Sequence, residues 1–137
     1  MTATQRTLDQ RRAEHALARI HETKNTEHGH YVSYVSALPA TIVMNGLGQA
    51  LATLLAKAGR KDNPNQDPNY FLYNHVASWL SVQIEELNGS PDDVIKKLME
   101  NDQEVYLRAQ AEAMAYLNWL KQFARAYLTE KEGQADA

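Results

Sequence analysis

A chain of 137 residues with 44% hydrophobic and 23% charged residues fits one globular domain with its own core, and excludes a disordered polymer. It has no cysteine, which removes disulfides, thiolate nucleophiles and cysteine-based zinc sites. A formal net charge of -3 excludes attraction to a polyanion by the overall field, so nucleic-acid contact requires a local basic ridge or help from partners.

The opening residues MTATQRTLDQRR contain no apolar run of the kind a secretory signal needs, and a cytoplasmic location is expected. Residues 1–6 read as a flexible lead-in. Thr7 and Gln10 form a capping-box pattern, and Asp9 suits the first turn of a helix. Ala13, Ala16, Leu17 and Ile20 then recur at helical spacing, which predicts a helix over 7–23. Arg12 and Arg19 share one flank of that stripe, with His15 between them. They are either a solvated edge or a ridge that contacts phosphate.

The polar residues 24–30 (KNTEHGH) predict a connection. Glu27-x-x-His30 matches half of the carboxylate–histidine pattern of di-metal helical bundles, with His28 alongside. No second motif or facing carboxylate pair completes it, so neither a metal nor another cofactor is expected.

Residues 31–55 hold no Asp, Glu, Lys or Arg. Their Tyr, Ser, Thr, Asn, Gln, Gly and Pro content argues against a membrane span. Tyr31–Leu38 reads as a short helix, and Pro39 as the first residue of a second one ending at Ala58 with Gly59 behind it. A wheel over 39–58 puts Ala40, Val43, Met44, Leu47, Leu51 and Leu54 on an apolar face. Asn45, Gln49, Ala52, Thr53 and Ala56 lie opposite, with Gly46 and Gly48 flanking them. Glycines inside a helix cost roughly 1 kcal/mol each relative to alanine, so a packing reason is expected. This second side faces either another helix of the chain or a partner.

Residues 57–69 (KAGRKDNPNQDPN) predict the clearest loop. Lys57, Arg60 and Lys61 there either compensate a helix C-terminus or form an anion-binding corner. From Asn69 an amphipathic helix places Leu72, Tyr73, Val76, Leu80, Ile84 and Leu87 on one face, and Gly89 ends it. Phe71, Trp79 and Val82 spread onto its side as candidate protein contacts. Ser90-Pro91-Asp92-Asp93 opens a short helix that stops near Asn101. Asp102 caps the last helix, to about Leu128, with Tyr106, Ala109, Ala113, Tyr116, Leu117, Leu120, Phe123, Ala124 and Tyr127 in its stripe. Lys121 and Arg125 form a ridge beside the stripe, and Trp119 lies off it as a further candidate contact. Residues 129–137 read as a flexible tail.

The whole chain thus reads as all-α, a compact bundle of about five to six helices in a single domain spanning 1–137. No nucleophile elbow, phosphate loop or zincin motif occurs in it. Asp92-Asp93 and Glu85-Glu86 are adjacent pairs that point apart on a helix. A binding or assembly module is favoured over an enzyme.

TLDQRRAEHA, YVSYVSALPATIVMNGLGQALATLLAK and AMAYLNWLKQFARAYL together resemble the small α-helical subunit of the type III-B CRISPR effector, the Cmr or RAMP-module complex. The portion from Pro39 to Gln49 is the most specific. The acidic overall balance is the one departure. The resemblance implies a non-catalytic subunit that stacks head to tail as a minor filament beside crRNA-bearing backbone subunits. It also implies a role in holding the crRNA–target RNA duplex, while the backbone subunit cuts. Partners would be other subunits of the complex, crRNA, target RNA and further copies of the chain. Candidate RNA-facing residues are Arg12, Arg19, Asn45, Gln49, Lys57, Arg60, Lys61, Lys121 and Arg125. The family motif matches those at Arg12, Asn45, Gln49 and Lys121, and the others rest on the wheel alone. A metal-dependent helical enzyme using Glu27, His28 and His30, and an adaptor that contacts only protein, remain as alternatives.

Overall fold

The computed structural model describes residues 6–60 and 62–136, with side chains as far as Leu128. Six helices follow in order, α1 (Leu8–Lys24), α2 (Tyr31–Asn45), α3 (Leu47–Ala58), α4 (Pro68–Gln83), α5 (Val94–Glu100) and α6 (Gln103–Asp136), with no strand among the described residues. The all-α bundle is as the apolar periodicity requires.

Local signals set most of the ends. Thr7 and Gln10 exchange both capping-box hydrogen bonds at the start of α1. Asp67 accepts from the Asn69 N–H ahead of Pro68, and Ser90 and Asp102 cap the turn before α5 and the start of α6. Helix α6 is the spine, with α1, α2 and α4 packed against it and α3 packed chiefly on α4 and α2. Its stripe of Ala109, Ala113, Tyr116, Leu117, Leu120, Ala124 and Leu128 is buried. Small residues in that stripe let the neighbouring helices approach closely. One cluster of buried side chains draws on all six helices. Each fully buried Leu or Ile in it contributes roughly 1.5–3 kcal/mol relative to exposure.

The break in the uncharged stretch falls at Gly46, whereas the sequence pattern put it at Pro39. Pro39 lies inside α2, which runs unbroken from Tyr31. Gly46 has φ +87°, ψ 159°, a conformation that residues with a Cβ rarely adopt. Its N–H closes α2 on the Ile42 carbonyl at 2.7 Å, and its own carbonyl opens α3 by accepting from Ala50 N–H at 3.1 Å.

The break resets the helical register, so the continuous wheel misassigns three residues. Ile42 is buried, while Ala40 is exposed, Val43 is 73% exposed and Met44 is 81% exposed. Helix α4 likewise ends at Gln83, short of Gly89, because Ile84 turns extended and a 3₁₀ turn at Glu85–Leu87 brings Leu87 into the core.

The glycines serve a packing purpose. Helix α3 has no side-chain cap of its own. Instead, two of its free N-terminal donors are met from α6, Leu47 N–H by Gln110 Oε1 at 2.9 Å and Gly48 N–H by the Tyr106 hydroxyl at 2.8 Å. A Cβ on Gly46 would stand 3.0 Å from that hydroxyl, and one on Gly48 would stand 2.7 Å from Met99 Cε. Gly46→Ala, strained at positive φ and crowded by Tyr106, should lower unfolding free energy by roughly 1–3 kcal/mol. Tyr106→Phe should cost about 1 kcal/mol by leaving the Gly48 donor without its acceptor. Urea denaturation of both variants checks the order.

Candidate nucleic-acid interface

The polar side chains of α1 face two fates, and the sequence did not separate them. Arg12 turns inward. Its guanidinium forks onto Glu112, with Nε to Oε2 at 2.6 Å and Nη2 to Oε1 at 2.9 Å, and Nη1 reaches Asp9 at 3.2 Å. The two side chains are only 18% and 11% exposed. Glu112 also accepts from Trp79 Nε1 at 2.9 Å. Burial pushes the Glu112 carboxyl up, but the hydrogen bonds from Arg12 and Trp79 outweigh it and hold the group below its ordinary value. Arg12, raised chiefly by its hydrogen bond to Glu112, stays charged and engaged.

Trp79 is the clearest correction. It is 3% exposed and stacks on Tyr116 with ring centres 5.5 Å apart and planes 10° from parallel. It offers no surface to a partner, because α1 and α6 cover the side of α4 that the wheel left open. Its polar edge is satisfied by Glu112, which lies beside the α6 stripe.

His15 continues the network. Its Nδ1 lies 2.7 Å from the Tyr116 hydroxyl, and its ring packs on Trp79. Deeper in, the Tyr31 hydroxyl lies 2.6 Å from His75 Nδ1, and His75 Nε2 lies 3.4 Å from Thr23 Oγ1. Thr23 donates its own proton to the Arg19 carbonyl at 2.8 Å. The consistent assignment is therefore Tyr31 O–H donating to Nδ1 and His75 Nε2–H donating to Thr23. This chain of bonds ties α1, α2 and α4 together.

Arg19 pairs with Glu22 at 2.8 Å and stands 3.5 Å from His15 Nε2. That pair lies within α1, and its carboxylate is open to solvent. Of the two arginines read as a solvated edge or a phosphate ridge, Arg12 thus ties α1 to α6 through Glu112, whereas Arg19 pairs only along its own helix.

The remaining candidates are more open. Lys57 and Arg60 are exposed at the end of α3, and Arg125 is exposed one turn beyond the half-buried Lys121 on α6. Asn45 and Gln49 are exposed beside the Gly46 joint. Gln49 and Lys57 lie eight residues apart on α3, roughly 12 Å along its axis, so amides and cations occupy different ends of that helix. Lys61 lies outside the described residues. Phe71 is half-buried, Val82 is 69% exposed, and Trp119 donates Nε1 to Asp9 at 2.9 Å while stacking on Phe123.

Glu27 and His30 are exposed, whereas His28 is buried with Nδ1 on the Thr26 carbonyl. No group of three or more His, Cys, Asp or Glu able to hold a metal occurs among the described residues. No described helix is long and apolar enough to cross a membrane.

The sequence reading missed Glu112 and Gln110, and placed Tyr106 in the α6 stripe without its capping role. Their partners come from helices whose placement the pattern does not encode.

Burial lowers His75 to about 3 and, with Arg19 nearby, His15 to about 4. Both folded values lie below the ordinary histidine value, so the unfolded chain takes up protons that the folded one refuses. The stability they contribute is complete above about pH 6.5 and is lost as pH falls through about 4 towards about 3. His75→Gln should lower stability at pH 7.5 yet flatten its decline between pH 6.5 and 5, as read by chemical denaturation across that range.

The comparisons with known proteins agree with this architecture. The profile of the CRISPR-associated protein family Cas_Cmr5 matches residues 8–127. The CRISPR system Cmr subunit Cmr5 of Thermotoga maritima is 29% identical over 132 residues, covering 94% of this chain and 91% of that protein. A crystal structure of a CRISPR-associated Cmr5 family protein from Thermus thermophilus superposes with a TM-score of 0.70 at 28% identity, covering 89% of this chain and 98% of that one. With the profile spanning the bundle from the start of α1 to Tyr127, this chain belongs to the Cas_Cmr5 family of CRISPR-associated proteins.

Proposed function

We propose that the chain is a non-catalytic small subunit of a crRNA-guided type III-B complex, stacking head to tail and helping to hold the crRNA–target RNA duplex in antiviral defence. The observation that carries this reading is the family match across residues 8–127. Its partners are the other subunits of a cytoplasmic Cmr complex, the two RNA strands and neighbouring copies.

The surface divides this work between two kinds of residue. Lys57, Arg60, Lys121 and Arg125, with Lys61 beside the first pair in sequence, serve as phosphate contacts, and Asn45 and Gln49 as polar ones. Arg12, forked onto Glu112, supports the bundle that presents them. Large apolar side chains left in solvent at the joint end, Val43 and Met44, with Val82 and the accessible parts of Phe71 and Trp119, serve the protein contacts. With a net charge of -3, RNA binding by one copy is weak, and retention depends on several copies acting together.

A protein-only adaptor is the second reading, favoured by that same negative charge. Salt dependence separates the two. In the assembled complex, Lys57→Glu with Arg60→Glu, or Lys121→Glu with Arg125→Glu, should lower target-RNA retention. Each pair should also reduce the slope of log affinity against log salt by roughly one for every phosphate it no longer neutralises. Circular dichroism of the free variant should match that of the parent. Unchanged retention and slope would overturn the RNA-contacting role and favour the adaptor.

A further inference from the structure

One indentation whose floor is closed by buried polar side chains lies away from the cation ridges. The end of α1, the 3₁₀ turn at Pro64–Gln66 and the first turns of α4 enclose a cleft of about 270 Å³. Its floor includes Thr23 and His75, both buried. Their hydrogen bonds are already made to Tyr31, to each other and to the Arg19 carbonyl. The floor therefore presents a neutral, internally satisfied surface. Above it stand the amides of Asn65 and Asn74, the half-buried ring of Phe71 and the carboxylate of Glu22.

These groups exclude several occupants. Glu22 holds Arg19 through Oε2, yet its side chain is 64% exposed and open to a second donor. An exposed carboxylate repels phosphate and accepts from N–H groups. The lining is too polar for an acyl chain, and the volume falls just below that of drug-sized sites. What fits is one flat heterocycle with N–H donors for the carboxylate, mixed donors and acceptors for the amides, and a π-face for Phe71.

We propose that this cleft binds a single unpaired nucleobase bearing an exocyclic amino group, stacked on Phe71 and read by Glu22, Asn65 and Asn74. The ligand class rests on the RNA-binding reading above, while the site is distinct from the cations assigned to the duplex. Stacking on an aromatic ring tolerates any base, and the edge contacts provide the preference. Amino-bearing adenine, cytosine and guanine are favoured over uracil, whose only ring donor besides the sugar-bearing position is one imide N–H.

The test is a ¹H–¹⁵N NMR titration of the full chain with the four nucleoside 5′-monophosphates, with ribose 5-phosphate and N-acetyl-arginine amide as controls. Shifts should concentrate at Thr23, Asn65, Phe71, Asn74 and His75, and ribose 5-phosphate should not reproduce them. Phe71→Ala should weaken the response about tenfold with the remaining spectrum unchanged. Asn74→Ala, a change at the rim that leaves the ring in place, should alter the order among bases.

The proposal fails if ribose 5-phosphate gives the same shifts, if only the arginine mimic does, or if no nucleotide shifts these residues at about 20 mM. The arginine outcome would mark the cleft as a socket for a protein side chain. Because the titration needs no duplex and no complex, its failure is separate from loss of target-RNA retention in the cation variants.

Discussion

The half-buried fork between Arg12 and Glu112 is the constraint around which the bundle is arranged. Neither charge can leave water alone, since an isolated ion in the interior costs several kcal/mol even after relaxation. They are therefore held with every favourable contact at hand, two N–H···O bonds from Arg12 and a third from Trp79 Nε1. Satisfying Glu112 in this way fixes α1, α4 and α6 against each other at one level. Trp79 and Tyr116 then stack, and His15 closes on the Tyr116 hydroxyl. A hydrophobic triplet of similar volume would hold the helices as firmly. It would leave their rotation about one another less sharply defined, which is what directional bonds add.

A second constraint acts at the other side of the spine. Helices α2 and α3 share one residue, Gly46, as the end of one and the start of the other. Such a joint leaves α3 without room for a capping side chain of its own, so its donors depend on Tyr106 and Gln110 from the first turns of α6. The glycines are needed because that hydroxyl must come within hydrogen-bonding distance of backbone. Local conformation and tertiary packing are therefore one requirement here. The segment Asn45-Gly46-Leu47-Gly48-Gln49 carries it in five residues.

How much of this could be read in the sequence depended on whether the cause was local. Thr7 with Gln10, Ser90 with Pro91, and Asp102 act within a few residues, and each starts the turn or helix it was expected to start. The α6 stripe was legible because a 3.6-residue period survives a helix of any neighbourhood. Pro39 misled because proline at a first helical turn is favourable, yet α2 accommodates it in its interior and breaks instead where a positive φ is required. Trp79 misled for a different reason. A wheel tells which side chains share a face but not which other helix covers that face. Three helices meet around Trp79, and Arg12 became the partner of Glu112 beside it.

The same pairing decides which charges an acidic chain leaves at its surface. Acidic groups on α1 and α6 neutralise the arginines closest to the core, so the net charge of -3 does not describe the charge any one face presents. Lys57 and Arg60 at the end of α3 and Arg125 on α6 lie instead at the exposed surface. Screening confines their field to about 8–10 Å at physiological salt, so each such cation acts on a phosphate laid directly against it and hardly beyond. In the proposed RNA-contacting role, a single copy would hold a duplex through only a few separate contacts of modest strength. Stacked copies would turn those contacts into retention, because each later contact forms at the high effective concentration set by the first.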